Sequence, residues 1–201
     1  TAPVSSPWQP GETIRIGSLG RLHPAKGYDI LIAALAQLKT QGWRPPVPID
    51  IEIKGEGAER ARLTALAGSA GLDTIRFTGF SDDPPGFLAG LHLYLQPSRR
   101  EGFCIAAHQA MTAGLPVIAS SAGELAYSIT DGHNGYRVTP EDVGALADSL
   151  VLILQKPDGL YAMGQAARAD VLDRFSKENF TMAGSTIMNR VKATTADLTA
   201  A

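Results

Sequence analysis

The stretch that most restricts how this chain can fold is residues 91–121, LHLYLQPSRREGFCIAAHQAMTAGLPVIASS. It opens with a short apolar run that ends at the turn signal Pro97-Ser98, the pattern of a buried strand coming to its end. A charged loop follows, Arg99 to Phe103, with Gly102 inside it. From Cys104 an Ala-rich segment reads as helix to Ala113. Gly114 just past its end and Pro116 shortly after are stop signals. Val117 then starts another strand. Strand, loop, helix, strand places the loop at a strand's carboxyl end, where open α/β sheets bind ligands. The helix amino terminus adds unpaired N–H groups and a positive dipole end, which suit an anion.

The same alternation runs along the rest of the chain. Residues 13–19 read as a first strand and 49–54 as a second. Between them Ile30, Leu31, Ala34, Leu35 and Leu38 line one face of a helix over 28–40. A helix is expected at 59–70, a strand at 74–78, a short helical turn at 86–90 and a last strand at 134–138. Pro140 is expected to open a helix running to about Gln155, with two more over 160–175 and 177–192. This order predicts an α/β fold: a doubly wound, Rossmann-like parallel sheet of about six strands with helices on both faces. Residues 1–12 read as an arm or interdomain linker, 13–175 as one domain, 176–193 as a carboxyl-terminal helix and 194–201 as a small polar tail.

Composition narrows the partners. A net charge of −2 argues against broad nucleic-acid binding, which needs a basic face. No apolar run approaches about 18 residues, so no transmembrane segment is expected. The first residues lack the basic start and apolar core of a signal peptide. A single cysteine allows no internal disulfide, and together these features predict a cytoplasmic protein. The first residue is Thr, so a fragment or a processed chain is expected.

Several residues carry candidate chemistry. Arg21 and Lys26 lie in a loop after the first strand, flanked by Gly20 and Gly27; two cations there could neutralise a diphosphate, or could simply be solvated. The loop is neither a dinucleotide fingerprint nor a P-loop, since it lacks both glycine patterns. Glu101 could accept hydrogen bonds from sugar hydroxyls, or could pair with Arg99 or Arg100 at the surface. Gln109 falls in the second turn of the Ala-rich helix, where it could share a face with Ile105 or be an ordinary surface glutamine. Among the histidines, His23 is best placed to approach a ligand, His92 reads as packed beside a strand, and His108 as a helix-surface residue. Their scatter offers no metal-ligand spacing, and no metal site is expected. Cys104 could have a lowered pKa at a helix start, or be a small buried side chain. Asp82-Asp83 reads as a turn or helix cap before Pro84-Pro85.

Together GRLHPAKG, GEG, FTGF and PSRREGFCIAAHQAMTAGLPVIAS resemble the carboxyl-terminal, donor-binding domain of a retaining family 4 glycosyltransferase of GT-B architecture, over about residues 13–180. The resemblance implies that Arg21 and Lys26 hold the donor diphosphate. It implies that Glu101, the first acid of the family's Glu-x7-Glu element, contacts the transferred sugar. Gly102, Phe103, Cys104 and Ile105 would face sugar and phosphates, and Gly79 and Phe80 would line the nucleobase. Gln109 stands where the family has a second Glu on the ribose, Cys104 where it has glycine, and Tyr127 where an acid is usual. The substrate implied is a nucleoside-diphosphate sugar, with no cofactor and no metal. An amino-terminal domain of similar size is implied as a missing partner, toward which the last helix would pack. Peripheral membrane association would run through that half. Without it, binding of donor is expected but no useful transfer. A non-catalytic nucleotide-sugar-binding or interaction module and a GT-B sugar epimerase stand as alternatives, the latter matching the Arg-Lys loop and EGF stretch less well.

Overall fold

The computed structural model describes residues 4–179, Thr181 and Met182. Six strands form one parallel sheet: β1 (Ile14–Leu19), β2 (Ile49–Lys54), β3 (Ile75–Gly79), β4 (Leu93–Gln96), β5 (Val117–Ser120) and β6 (Gly135–Val138). Their order is β3-β2-β1-β4-β5-β6. The helices are α1 (Tyr28–Thr40), α2 (Arg60–Ser69), α3 (Pro84–Ala89), α4 (Ile105–Thr112), α5 (Leu125–Ser128), α6 (Val143–Leu154) and α7 (Leu160–Arg174).

The strands' period of two divides the core into two layers. Ile14, Ile16, Ile51, Ile53, Leu93, Leu95 and Ile118 pack with the apolar stripes of α1, α2 and α6. Tyr94, Val117 and Ala119 point the other way, onto α3, α4 and α7. Each Leu or Ile buried in these layers contributes about 1.5–3 kcal/mol. The α4 helix can lie close to the sheet because Ala107 and Ala110, both 0% exposed, form its buried side.

Some element boundaries differ from expectation for local reasons. Pro140 does not open α6. Asp142 caps it, its side chain accepting from Ala145 N at 2.8 Å, and Pro140 sits in the turn before. The short turn before β4 is the helix α3, which starts at Pro84 under an Asp83 cap on Gly86 N. The four-residue α5 has too few residues for a period to show. The segment before β1 is tied down at Ser5, whose N donates to Ala113 O and whose Oγ donates to Gly114 O, both at 2.8 Å. Of the expected carboxyl-terminal helix, Lys177 to Asn179, Thr181 and Met182 are helical; the rest of it and the tail lie outside the described residues. Among the described residues no helix is long and apolar enough to cross a membrane.

Candidate functional site

The strand order reverses direction between β1 and β4, and the loops leaving these two strands meet at the carboxyl edge of the sheet. Gly27 permits the meeting. Its φ of +67° is left-handed, and a Cβ there would lie 2.0 Å from the Pro97 carbonyl oxygen. Gly123, at φ +58°, lets a third loop approach the Gly102 carbonyl in the same way.

At this junction Lys26 Nζ donates to Glu101 Oε1 at 2.7 Å. Ser98 Oγ donates to the same oxygen at 2.7 Å and Gln96 Nε2 at 3.3 Å. The side chains are 23% and 9% exposed for Lys26 and Glu101, so the pair is largely shielded from water. Glu101 therefore pairs with neither Arg99 nor Arg100. Arg99 is occupied by Asp29 and Glu141 and by the Pro24 carbonyl. Burial raises the Asp29 pKa, and the Arg99 hydrogen bond and charge outweigh that to hold it below the usual carboxylate value.

Arg21 lies on the other side of the β1 loop, on a cavity of about 440 Å³ shared with Glu56, Phe80, Ser81, Ala106 and Gln109. The Lys26 stem runs beside Gly20, next to Arg21, so the cavity and the Lys26–Glu101 pair adjoin. Phe80 is 75% exposed, an apolar face open to a planar ligand. Gly79 underlies it, and Arg60 holds the Glu56 carboxylate at 2.6 Å over that glycine. A second crevice of about 510 Å³ lies beyond Phe80 and Lys54, lined by Arg15, Asp50 and Phe87.

The start of α4 closes the site. Cys104 is its N-cap residue at φ 57°, a left-handed conformation in which glycine is the usual occupant. Among the described residues the amides of Phe103, Cys104 and Ile105 donate to no protein acceptor. Ile105 is 66% exposed and Phe103 47% exposed at the mouth. The Cys104 thiol is buried, and desolvation, then the Glu101 charge, push its pKa up to about 12, so it is not an activated thiol.

One histidine expectation changes. His108 is not on the helix surface but buried, its ring stacked 4.4 Å from Phe103 and edge-on to Phe175. Its Nδ1 donates to Cys104 O at 3.1 Å, which leaves Nε2 to accept from Ser128 Oγ at 2.9 Å. Desolvation lowers its pKa and favours the neutral ring. His23 caps the turn before Lys26, its Nδ1 accepting from Ala25 N at 3.2 Å. His92 is packed as expected, with Nδ1 accepting from Arg15 N at 3.0 Å. Tyr127 is 73% exposed. Gln96 and Ser98, both 0% exposed, stand behind Glu101 rather than facing a ligand, and sequence reasoning passed over them; the signal was a polar residue at the end of an otherwise apolar strand.

A six-stranded sheet of this order, with its crevice at the reversal point, is one half of the two-domain GT-B architecture. The family model for glycosyl transferases group 1 matches residues 6–170, and the chain belongs to that family. It is 31% identical over 176 residues to the lipopolysaccharide core biosynthesis mannosyltransferase LpcC of Rhizobium leguminosarum bv. viciae, covering 87% of this chain and 50% of that protein. It is 31% identical over 163 residues to the 2-deoxystreptamine glucosyltransferase of Streptomyces kanamyceticus, covering 80% and 41% respectively. The chain thus spans half or less of these relatives' length. Among solved structures, sucrose-phosphate synthase from Thermosynechococcus elongatus superposes with a TM-score of 0.75 at 28% identity, covering 92% of this chain and 47% of that one. Anabaena HepE in complex with UDP-glucose gives 0.73 at 28% identity, covering 88% and 49%. The separately solved carboxyl-terminal domain of LpcC from Francisella tularensis gives 0.69 at 29% identity, covering 82% of this chain and 87% of that one.

Proposed function

We propose that this domain holds the nucleoside-diphosphate sugar donor of a retaining, family 4 glycosyltransferase. The observation that carries the reading is the convergence of Lys26 and Glu101 at the sheet's reversal point, beside the cavity that Arg21 shares with Phe80 and Gln109. A likeness to HepE, solved with UDP-glucose, supports a nucleotide-sugar ligand.

The roles follow from chemistry. Arg21, Lys26 and the α4 amides at Phe103, Cys104 and Ile105 meet the diphosphate, in the place a divalent cation would otherwise fill. They stabilise the charge that grows on the leaving diphosphate as the glycosidic bond breaks. Phe80 stacks on the base above Gly79. Glu101, beside Gly102, accepts from hydroxyls of the transferred sugar. Gln109 bonds the ribose diol without the charge assistance of a carboxylate, which weakens binding by about 1 kcal/mol, roughly 5-fold. The acceptor side of the cleft belongs to a second domain, so this domain alone binds donor without transferring its sugar. The neutral Gln109 also favours a second reading, a module that binds nucleotide sugars without catalysis.

Titration of the domain with uridine, guanosine and adenosine diphosphates, followed by calorimetry and melting temperature, tests the proposal. At least one diphosphate stabilises the wild type, and Arg21→Ala with Lys26→Ala abolishes the response. Binding that survives the double substitution refutes the site. Sugar transfer by a two-domain protein carrying this domain separates the catalytic reading from the non-catalytic one.

A further inference from the structure

We infer that Gln96, acting with Ser98, is a positioning residue that aims the Glu101 carboxylate at the donor sugar. This rests on the reading of Glu101 just given. Gln96 is the last residue of β4 and is 0% exposed, as is Ser98. An unpaired amide in that position would be costly, and Leu93 and Leu95 show that the strand otherwise takes apolar side chains. Every polar end of Gln96 is matched instead. Its Oε1 accepts from Tyr94 OH at 3.0 Å, and its Nε2 donates to Ser98 Oγ at 2.8 Å and to Glu101 Oε1 at 3.3 Å.

The direction of the amide is fixed by its neighbours. Ser98 uses its one proton on Glu101 Oε1 at 2.7 Å, so its oxygen can only accept from Gln96. A flipped amide would turn its carbonyl toward a carboxylate and an acceptor-only oxygen. At the far end the Tyr94 hydroxyl accepts from Leu19 N at 3.0 Å and shares its one proton between Gln96 Oε1 at 3.0 Å and the Leu19 carbonyl at 3.2 Å. Leu19 is the last residue of β1, directly before the Gly20-Arg21 loop. A continuous line of buried hydrogen bonds therefore joins the end of β1 to Glu101, and Lys26 completes it from the same loop at 2.7 Å. Three donors on Oε1 stop the carboxylate from rotating, which fixes the direction of Oε2. Networks of this kind hold a functional group only while each member is satisfied.

The test uses this chain with Gln96→Met, which keeps the volume, and separately Ser98→Ala. Two readouts are needed. In protein labelled with 13C-glutamate, the Glu101 carboxylate resonance moves in both variants while the other glutamates keep their shifts. Each variant also binds the best nucleoside diphosphate as the wild type does, yet loses about 10-fold of the extra affinity that the attached sugar provides. An unmoved Glu101 resonance overturns the inference, and so does a moved resonance with the sugar's contribution intact. A wild type that binds no nucleoside diphosphate overturns the proposed function instead. In that case the resonance still decides whether Gln96 holds Glu101.

Discussion

Lys26 and Glu101 stand 75 positions apart in the chain, yet their charged atoms meet at 2.7 Å with the carboxylate almost covered. Removing one member strands the other's charge, whereas removing both does not. Lys26→Met is expected to lower stability by about 2 kcal/mol, and adding Glu101→Gln to recover about half of it. Urea denaturation of the four proteins in the cycle measures this. Strictly additive losses would show that the pair is not coupled.

Gly123 has no room for a side chain beside the Glu101–Phe103 loop. Its φ is +58°, and a Cβ would meet the Gly102 and Glu101 carbonyl oxygens at 2.1 and 2.6 Å. Gly123→Ala should therefore cost about 2 kcal/mol or more and weaken nucleotide binding together with stability. A melting curve equal to that of the wild type would contradict the close approach.

His92 and His108 predict a loss of stability on the acid side. Burial lowers both pKa values from the ordinary 6.5, with the Arg15 charge adding to the effect at His92. The unfolded chain thus takes up protons more readily than the folded one. The stability this represents is complete above pH 6.5 and is lost as pH falls through the lower folded values. Melting temperature should drop between pH 7.5 and about 5, and His108→Gln should flatten that slope. An unchanged slope in the variant would mean that His108 already titrates normally in the fold.

Cys104 predicts the opposite sign on the alkaline side. Its thiol is pushed from 9.0 to about 12 by burial and by Glu101, so the folded state favours the protonated form. That contribution is complete below pH 9.0 and is lost as pH rises toward about 12. At pH 8.5 iodoacetamide should modify the native chain at least about 10-fold more slowly than the urea-unfolded chain. Equal rates would show the thiol to be open to solvent.

Much of the fold was legible because it is local. The α1 helix lies at Tyr28–Thr40, as the apolar spacing from Ile30 to Leu38 required, and β2 at Ile49–Lys54 likewise. What escaped was tertiary. The resemblance brought Arg21, Lys26 and Glu101 to one ligand, but nothing in the sequence made Lys26 and Glu101 a direct ion pair or gave Arg99 to Asp29. Helical spacing could not tell that the flank of α4 bearing His108 is covered by Phe103, Phe175 and Ser128. Nor could Ser5, in a polar proline-rich start, announce its bonds to Ala113 and Gly114.

The pairing of β1 with β4 has a consequence for how the chain emerges from a ribosome. Until β4 has been synthesised, β1 carries one bare edge in the middle of the future sheet, open to wrong partners. Lys26 is made long before Glu101 exists, so the crevice assembles late, by closing a long span of chain, and a truncated nascent product would have helices and strands but no site.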